Sequence, residues 1–466
     1  MNENQFEEFE GRIVEIMREF KIPGLSIGVV KDGKSIYIKG FGARNLEKNL
    51  PFTPDTLFGI GSISKSFTTL AVMQLYEQEK INIQDPVGMY LNFKLGKKDN
   101  PIKIYHMFSH STGIPELDGN EVALLRHLGI LEPIIPMSSW DDFLLHMNSA
   151  NTEIFGSPEK YFFYNNDMFT CLGLIVEKIT NMKFEDYMKE NILKPLEMNR
   201  STYLKQDFEK DDDVLTGYLP SNEKKLVKDA MHPFDKIVYA PGGLLSSVSE
   251  MQNYIIALIN GGKFNQSQII QKSSLEKMWT PYIKIPEETS YSMGDSWYGY
   301  GWIIEKNFLG HKLLQHGGNV GTSTAFLAII PNQKIGVIIG ANSDASIVLG
   351  SIARIFLAIL LDKDFDEAAP LIKIHNKLKS LTGKYKIYKE LQTMDISLDN
   401  GVLFAKIKNP IEPKPRNLPL APENLEELKF YVPVAYPNRK IKVQFFIDEE
   451  TDEIHLTFDR YYFHKI

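Results

Sequence analysis

The chain has 466 residues, 43% hydrophobic and 24% charged, the balance of a globular protein large enough for two cores. Lysine and arginine total 52 against 59 acidic residues, and the formal charge of −7 offers no basic field for nucleic acid. A single cysteine, Cys171, excludes an intrachain disulfide and a cysteine-rich metal centre.

The N-terminus, Met1 to Glu8, lacks the basic-then-apolar order of a signal peptide, and no apolar run reaches membrane-spanning length. The longest, Ile347 to Leu361, contains Ser351 and Arg354 and reads as a packed helix. The expected setting is cytoplasmic, with no membrane partner. After a short amphipathic helix, Leu25 to Val30 and Ser35 to Gly40 flank Asp32-Gly33, which predicts a two-stranded hairpin.

Next comes Ser62-Ile63-Ser64-Lys65, between the glycine-bounded Phe58-Gly59-Ile60-Gly61 and a long apolar run. Residues three apart share a helix face, and side chains lean toward the helix N-terminus, so the amine of Lys65 turns back to the hydroxyl of Ser62. Burial beside the positive end of a helix lowers a lysine pKa and makes the amine a general base for the serine. Ser-x-x-Lys also begins at Ser157, Ser221 and Ser274. Those lie in polar turns or an ordinary amphipathic helix, whereas Phe67 to Tyr76 after the first is apolar around its circumference, as a buried central helix requires.

Helices dominate from Ser62 to about Ile259. His106 and His110, four apart, raise a metal-site alternative, but no neighbouring glutamate completes a zinc-hydrolase pattern. Tyr164-Asn165-Asn166 leads directly into a buried helix that includes Cys171, read as a packed hydrophobe. The Tyr164 phenol would shuttle a proton between serine and leaving group, with the Asn166 amide orienting lysine and substrate.

A second strand set follows. His316-Gly317-Gly318-Asn319 ends a strand begun at Lys312, its glycines leaving an edge against which a substrate backbone lies. The Asn319 and Ser62 N–H groups would form the oxyanion hole. Thr324 to Ile330 and Lys334 to Ile339 are joined across Pro331-Asn332-Gln333, and the helix from Ile347 closes the domain. The expected fold class is α+β: an antiparallel sheet built from both ends of the domain with a helical subdomain beside it, followed by a small antiparallel β-barrel. Polar segments Asp362 to Glu367 and Lys373 to Lys379 read as linker, dividing residues 1–370 from 371–466. Beyond it, Met394, Ile396 and Leu398 alternate up to Asn400-Gly401 and Leu403, Ala405 and Ile407 away from it; Val443, Phe445 and Ile447 alternate, and so do Ile454, Leu456 and Phe458 after a Glu449 to Glu453 turn.

Ser62-x-x-Lys65, Tyr164-x-Asn166 and His316-x-Gly318, in that order, resemble the three motifs of the serine β-lactamase and penicillin-binding-protein superfamily. Ile22-Pro23-Gly24, Ser109-His110-Ser111-Thr112-Gly113-Ile114-Pro115, Pro241-Gly242-Gly243-Leu244 and Tyr298-Gly299-Tyr300-Gly301-Trp302 are similar to segments of its class C β-lactamase-like branch, which includes D-aminopeptidases, D-stereospecific peptidases and esterases. The resemblance covers residues 10 to 360, and the segment after Leu381 is similar to the lipocalin-like domains of some peptidases of this branch. It implies a β-lactamase-like domain in which Ser62 attacks a carbonyl, Lys65 and Tyr164 manage its proton, and water cleaves the acyl-enzyme, with no metal or organic cofactor. Two departures stand out: His316 replaces the lysine of the third β-lactamase motif, and Ser157-Pro158 replaces the Pro-Gly before the tyrosine motif.

The reading is therefore a serine hydrolase acting on a small peptide or ester substrate, a peptidase or aminopeptidase tolerant of D-amino acids. The alternatives are a carboxylesterase, a weak β-lactamase, and a catalytically silent peptide-binding scaffold. A homo-oligomer is compatible with this reading, and the appended barrel is expected to narrow access to the cleft.

Overall fold

The computed structural model describes residues 3–127, 129, 135, 137–220, 226–228, 232–289, 295–399, 401–408, 416–434, 439–448 and 450–466. Two compact units divide the chain, Met1–Ala368 and Ala369–Ile466.

The first unit is organised on a nine-stranded antiparallel sheet. Its strands are β1 (Gly24–Lys31), β2 (Lys34–Asn45), β3 (Leu50–Pro51), β4 (Ile283–Lys284), β5 (Ser296–Tyr298), β6 (Ile303–Phe308), β7 (His311–Asn319), β8 (Thr324–Ile330) and β9 (Ile335–Ala341), in the order β4-β5-β6-β7-β8-β9-β1-β2-β3. Both ends of the unit meet where β1 pairs with β9, from Leu25 opposite Ala341 to Lys31 opposite Ile335. Asp32-Gly33 turns the β1–β2 hairpin, with Asp32 at φ 50° and Gly33 at φ 74°, the left-handed conformations that this turn chemistry supplies.

Helices α1 (Glu3–Phe20), α4 (Val248–Ile259) and α5 (Ser346–Leu360) pack on the sheet, and α2 (Ser64–Glu77) and α3 (Asn166–Thr180) pack on each other beside it. Side chains alternate across it. Phe326 packs against Gly350 of α5 on one face, and Leu327 and Ile338 join the core containing Ile255 and Leu258 of α4 on the other. Gly28 and Gly336 admit α4 at close range: a Cβ on either would come within 2.5 Å of Val248 or 2.4 Å of Ile255. Between β6 and α5, Arg354 forms a buried bidentate pair with Glu305, whose carboxylate also accepts from Gln315 at 2.7 Å. Among the described residues, no helix is long and apolar enough to cross a membrane.

The second unit is a closed barrel of eight antiparallel strands, β10 to β17 (Gly383–Lys386, Thr393–Asp399, Val402–Lys408, Arg416–Asn424, Lys429–Pro433, Lys440–Ile447, Ile454–Phe458 and Tyr461–Lys465). Met394, Ile396, Leu403, Ala405, Val443, Phe445, Leu456 and Phe458 fill it as their alternation predicts. Ile447 departs from the pattern, 43% exposed at the strand end. Asn400 and Glu449, expected in turns, lie outside the described residues.

The linker expectation is corrected. Phe365–Ala368 is one helical turn, and Pro370–Ser380 is a helix, α6, with Pro370 at its start and Lys377 and Lys379 in its last turn, where the helix dipole favours them. Leu378, in the segment read as polar linker, joins the barrel core, because three lysines around it face outward while the helical period turns it in.

Candidate active site

Ser62 follows a tight backbone crossing. Phe58–Gly59 pairs with Leu245–Ser246, Gly61 adopts φ 51°, and Gly61–Ile63 forms a single 3-10 turn that feeds α2. α2 is buried from Ser64 through Leu75, so its apolar circumference reflects burial on every side. Ser64 Oγ accepts the Leu244 N–H at 3.2 Å, and Thr68 donates to the Ala240 carbonyl at 2.7 Å, tying α2 to the Pro241 segment.

Lys65 is completely buried, and its Nζ has three partners: Ser62 Oγ at 3.0 Å, Asn166 Oδ1 at 2.6 Å and the Pro241 carbonyl at 2.9 Å. Two of these are carbonyl oxygens, which only accept. They take two N–H bonds, so the third tetrahedral position of the nitrogen meets the serine hydroxyl. Burial lowers the lysine pKa to about 7, and Glu116, when ionised, opposes that shift by a smaller amount. The neutral amine then turns its lone pair to the Ser62 O–H.

Asn166, the first residue of α3, and Tyr164, two residues before it, reach this amine. Asn165 caps the helix, accepting the Met168 N–H at 3.0 Å, and its own N–H donates to His110 Nδ1 at 3.0 Å. The Tyr164 ring centroid lies 4.7 Å from Lys65 Nζ, 4.3 Å from the His110 ring and 6.2 Å from the His316 ring. The Asn166 N–H donates to Glu116 Oε2 at 2.5 Å.

The C-terminal end of β7, beyond its last pairing with β6 at Gln315, lies against the serine turn. A Cβ on Gly318 would stand 1.9 Å from the Ile60 oxygen and 2.8 Å from the Ser62 nitrogen; one on Gly61 would stand 2.5 Å from the Asn319 nitrogen. Only glycine permits this approach, which brings the Ser62 and Asn319 amides to neighbouring positions. The Asn319 side chain turns away, donating to Asp344 at 2.9 Å and Ser346 at 2.8 Å.

His316 is buried. Its Nδ1 is 2.6 Å from the Gly317 carbonyl, so Nδ1 carries the proton and Nε2 accepts from the Tyr298 hydroxyl at 2.8 Å. Burial, helped by the Lys65 charge, lowers its pKa to about 3 and keeps it neutral. Both ring nitrogens are thus occupied by protein groups.

Ser62, Lys65, Tyr164, Asn166, His316, Gly318 and Asn319 therefore converge on one site. Three further contributors are not predicted from the sequence: Tyr298, which stands in a quoted segment, His110, read there only as a metal-ligand alternative, and Glu116, whose only signal is its place after Ile114-Pro115. The alternative serines are elsewhere in kind: Ser157 is in a turn, Ser274 is on the helix Lys272–Met278, and Ser221 lies outside the described residues. His106 and His110 do not share a helix face, because Ile104–Phe108 ends first and His110 has φ 55°. His106 Nδ1 accepts the Lys103 N–H at 3.0 Å, and among the described residues no group of three or more His, Cys, Asp or Glu is placed to hold a metal.

Comparison with known proteins places this geometry in context. The family model described as "Beta-lactamase" matches residues 9–361, and that of the "Pab87 octamerisation domain" matches residues 365–464. Protein flp of Staphylococcus aureus (strain MW2) is 24% identical over 355 residues, 75% of this chain and 66% of the relative. Penicillin-binding protein 4* of Bacillus subtilis (strain 168) is 26% identical over 314 residues, 65% of this chain and 64% of the relative. The chain thus spans somewhat less than two thirds of the length of these curated relatives. The octameric penicillin-binding protein homologue from Pyrococcus abyssi superposes with a TM-score of 0.89 at 37% identity, covering 99% of this chain and 100% of that one. A D-stereospecific amidohydrolase from Streptomyces sp., at 21% identity and a TM-score of 0.57 over 69% of this chain and 90% of that one, shares the fold.

Proposed function

This chain belongs to the β-lactamase family, and from that premise we propose that it is a serine hydrolase, an amide-cleaving peptidase tolerant of D-amino acids. Ser62 is the nucleophile, Lys65 the base, and Tyr164 the relay to the leaving group. The observation that carries this reading is the fully buried Lys65 amine, 3.0 Å from Ser62 Oγ, with its other bonds taken by Asn166 and Pro241. Ser62 Oγ forms a bond to the substrate carbonyl carbon as its proton passes to Lys65 Nζ. The developing oxyanion is held by the Ser62 and Asn319 N–H groups. The proton travels by way of Tyr164 to the leaving amine as the C–N bond breaks. Water then attacks the ester, giving up a proton through the same base, and Ser62 regains its hydrogen as the acid departs.

Neutral His316, where β-lactamases carry a lysine, supports peptide over carboxylate-gripped β-lactam substrates. The likeness to a D-stereospecific amidohydrolase supports tolerance of D-residues. A serine-directed fluorophosphonate should label Ser62 once, and labelling elsewhere or not at all in folded protein overturns the nucleophile. Turnover of D- and L-amino-acid anilides against short-chain esters tests the substrate class. Ester cleavage without any anilide cleavage would make the protein an esterase.

The barrel unit also supports a homo-oligomer, proposed as an octamer, because its residues match an octamerisation domain and a relative of the same length is octameric. Light scattering on the full chain measures this directly, and a monomer at micromolar concentration overturns it.

A further inference from the structure

Behind Lys65 lie two buried acids that the proposed mechanism does not use. Glu116 Oε2 accepts the Asn166 N–H at 2.5 Å, while Oε1 is buried with no N–H donor. Asp167, the next residue along α3, is fully buried and accepts the Asn120 N–H at 2.7 Å and the Gly119 N–H at 3.1 Å. The two carboxyls lie close enough for each to act on the other's titration, and two buried carboxyls in such a pair share a proton. Burial raises the pKa of both acids, but Asp167 accepts two backbone N–H groups and Glu116 one, so the proton belongs on Glu116 Oε1, where it satisfies an otherwise orphaned atom.

The charged and titratable groups around the pair, among the described residues, are Lys65 from α2, Cys171 from α3, Glu121 from the helix Gly119–His127, Asp118 from the preceding loop, and His146 from the helix Trp140–Asn148. Of the two acids, Glu116 is the one whose charge reaches Lys65.

Resting on the reading of Lys65 as the base, we propose that Glu116 is a positioning residue that works in its protonated form. Its Oε1–H is held by ionised Asp167, its Oε2 holds the Asn166 N–H and hence the amide that accepts from Lys65, and its neutrality leaves the amine uncharged and aimed at Ser62. Burial and the neighbouring acid both raise the Glu116 pKa, in agreement with this state. An ionised Glu116 would stabilise the ammonium and remove the lone pair that the serine needs.

The test uses the full chain and two readouts. The first is the pH dependence of fluorophosphonate labelling at Ser62, whose acid limb reports loss of the Lys65 proton. The second is the infrared carbonyl band of a buried protonated carboxyl, which needs no activity. Glu116→Gln, which accepts from Asn166 and donates to Asp167, should leave the limb in place and abolish the band. Asp167→Asn removes the partner that keeps the proton on Glu116, so it should raise the limb by about 1 pH unit, roughly tenfold slower labelling on the acid side. The double variant should bring the limb back. A limb that falls in Glu116→Gln, or a band that survives there, shows that Glu116 is ionised in the native protein and overturns the proposal. An unmoved limb in folded Asp167→Asn does the same; if that variant does not fold, Glu116→Gln alone decides. Failure of the wild type to label would instead strike at the Ser62 assignment, since the band is read independently.

Discussion

Lys65 Nζ lies 3.0 Å from Ser62 Oγ in a position where burial holds its pKa near 7. The base is therefore neutral only above about that pH, and kcat/KM should rise with a single ionisation near 7 and fall tenfold per unit below it. An acid limb near 4 would assign the base to another group.

The same burial destabilises the fold. Unfolded, the lysine keeps its proton up to about pH 10.4, so between about 7 and that value the unfolded state binds one more proton and stability rises with pH. The penalty near neutrality is about 4–5 kcal/mol before the lysine's hydrogen bonds are counted. Lys65→Met should lose about 10³-fold or more in kcat yet melt higher than wild type at pH 7, with the gap narrowing toward pH 10. A lower Tm across that range would show that the bonds to Asn166 and Pro241 outweigh desolvation.

Tyr164→Phe retains the ring beside Lys65 but removes the phenol. Acylation by amide substrates should slow by about 10²–10⁴-fold. Activated esters, whose leaving groups need no proton, should be much less affected. Equal losses on both would deny the relay role.

Gly318→Ala places a methyl 1.9 Å from the Ile60 oxygen and so must displace β7 from the serine turn. Loss of the Asn319 amide from the oxyanion position predicts about 10²–10³-fold in kcat, with KM changed far less. The change at Gly317, whose Cβ would find only Phe326 at 3.6 Å, is the control and should be mild.

Far from the site, Arg354→Met strands the Glu305 carboxylate in the interior. The loss should be about 3–5 kcal/mol, read by denaturant unfolding of the first unit. Replacing both residues by apolar ones should recover most of it, and a single-variant loss under 1 kcal/mol would mean that water reaches Glu305.

Much of the site was legible because its parts are local. Ser62 and Lys65 are one helical turn apart, and Gly317-Gly318 marks by composition alone a strand end that another backbone can approach. The rest depends on contacts that no spacing encodes: Lys65 meets Asn166 across 101 residues and Pro241 across 176. Tyr298 acquires its role only because β5 and β7 bring its hydroxyl to His316 Nε2. Glu116 has only its place after Ile114-Pro115 to mark it, since a loop carboxyl reads as solvated until α3 covers it. The segment Lys373–Lys379 misled for the opposite reason, its lysines hiding the single leucine that the barrel buries.

Hydrophobic alternation, turn residues and the Ser-x-x-Lys spacing were enough to determine the antiparallel sheet, the barrel and which hydroxyl is paired with which amine, because each acts within a few residues. The charge state of that amine was decided by the tertiary structure alone. Desolvation and neighbouring charge depend on atoms from α3, the Pro241 segment and the Glu116 loop, and only the packed chain brings them around Lys65.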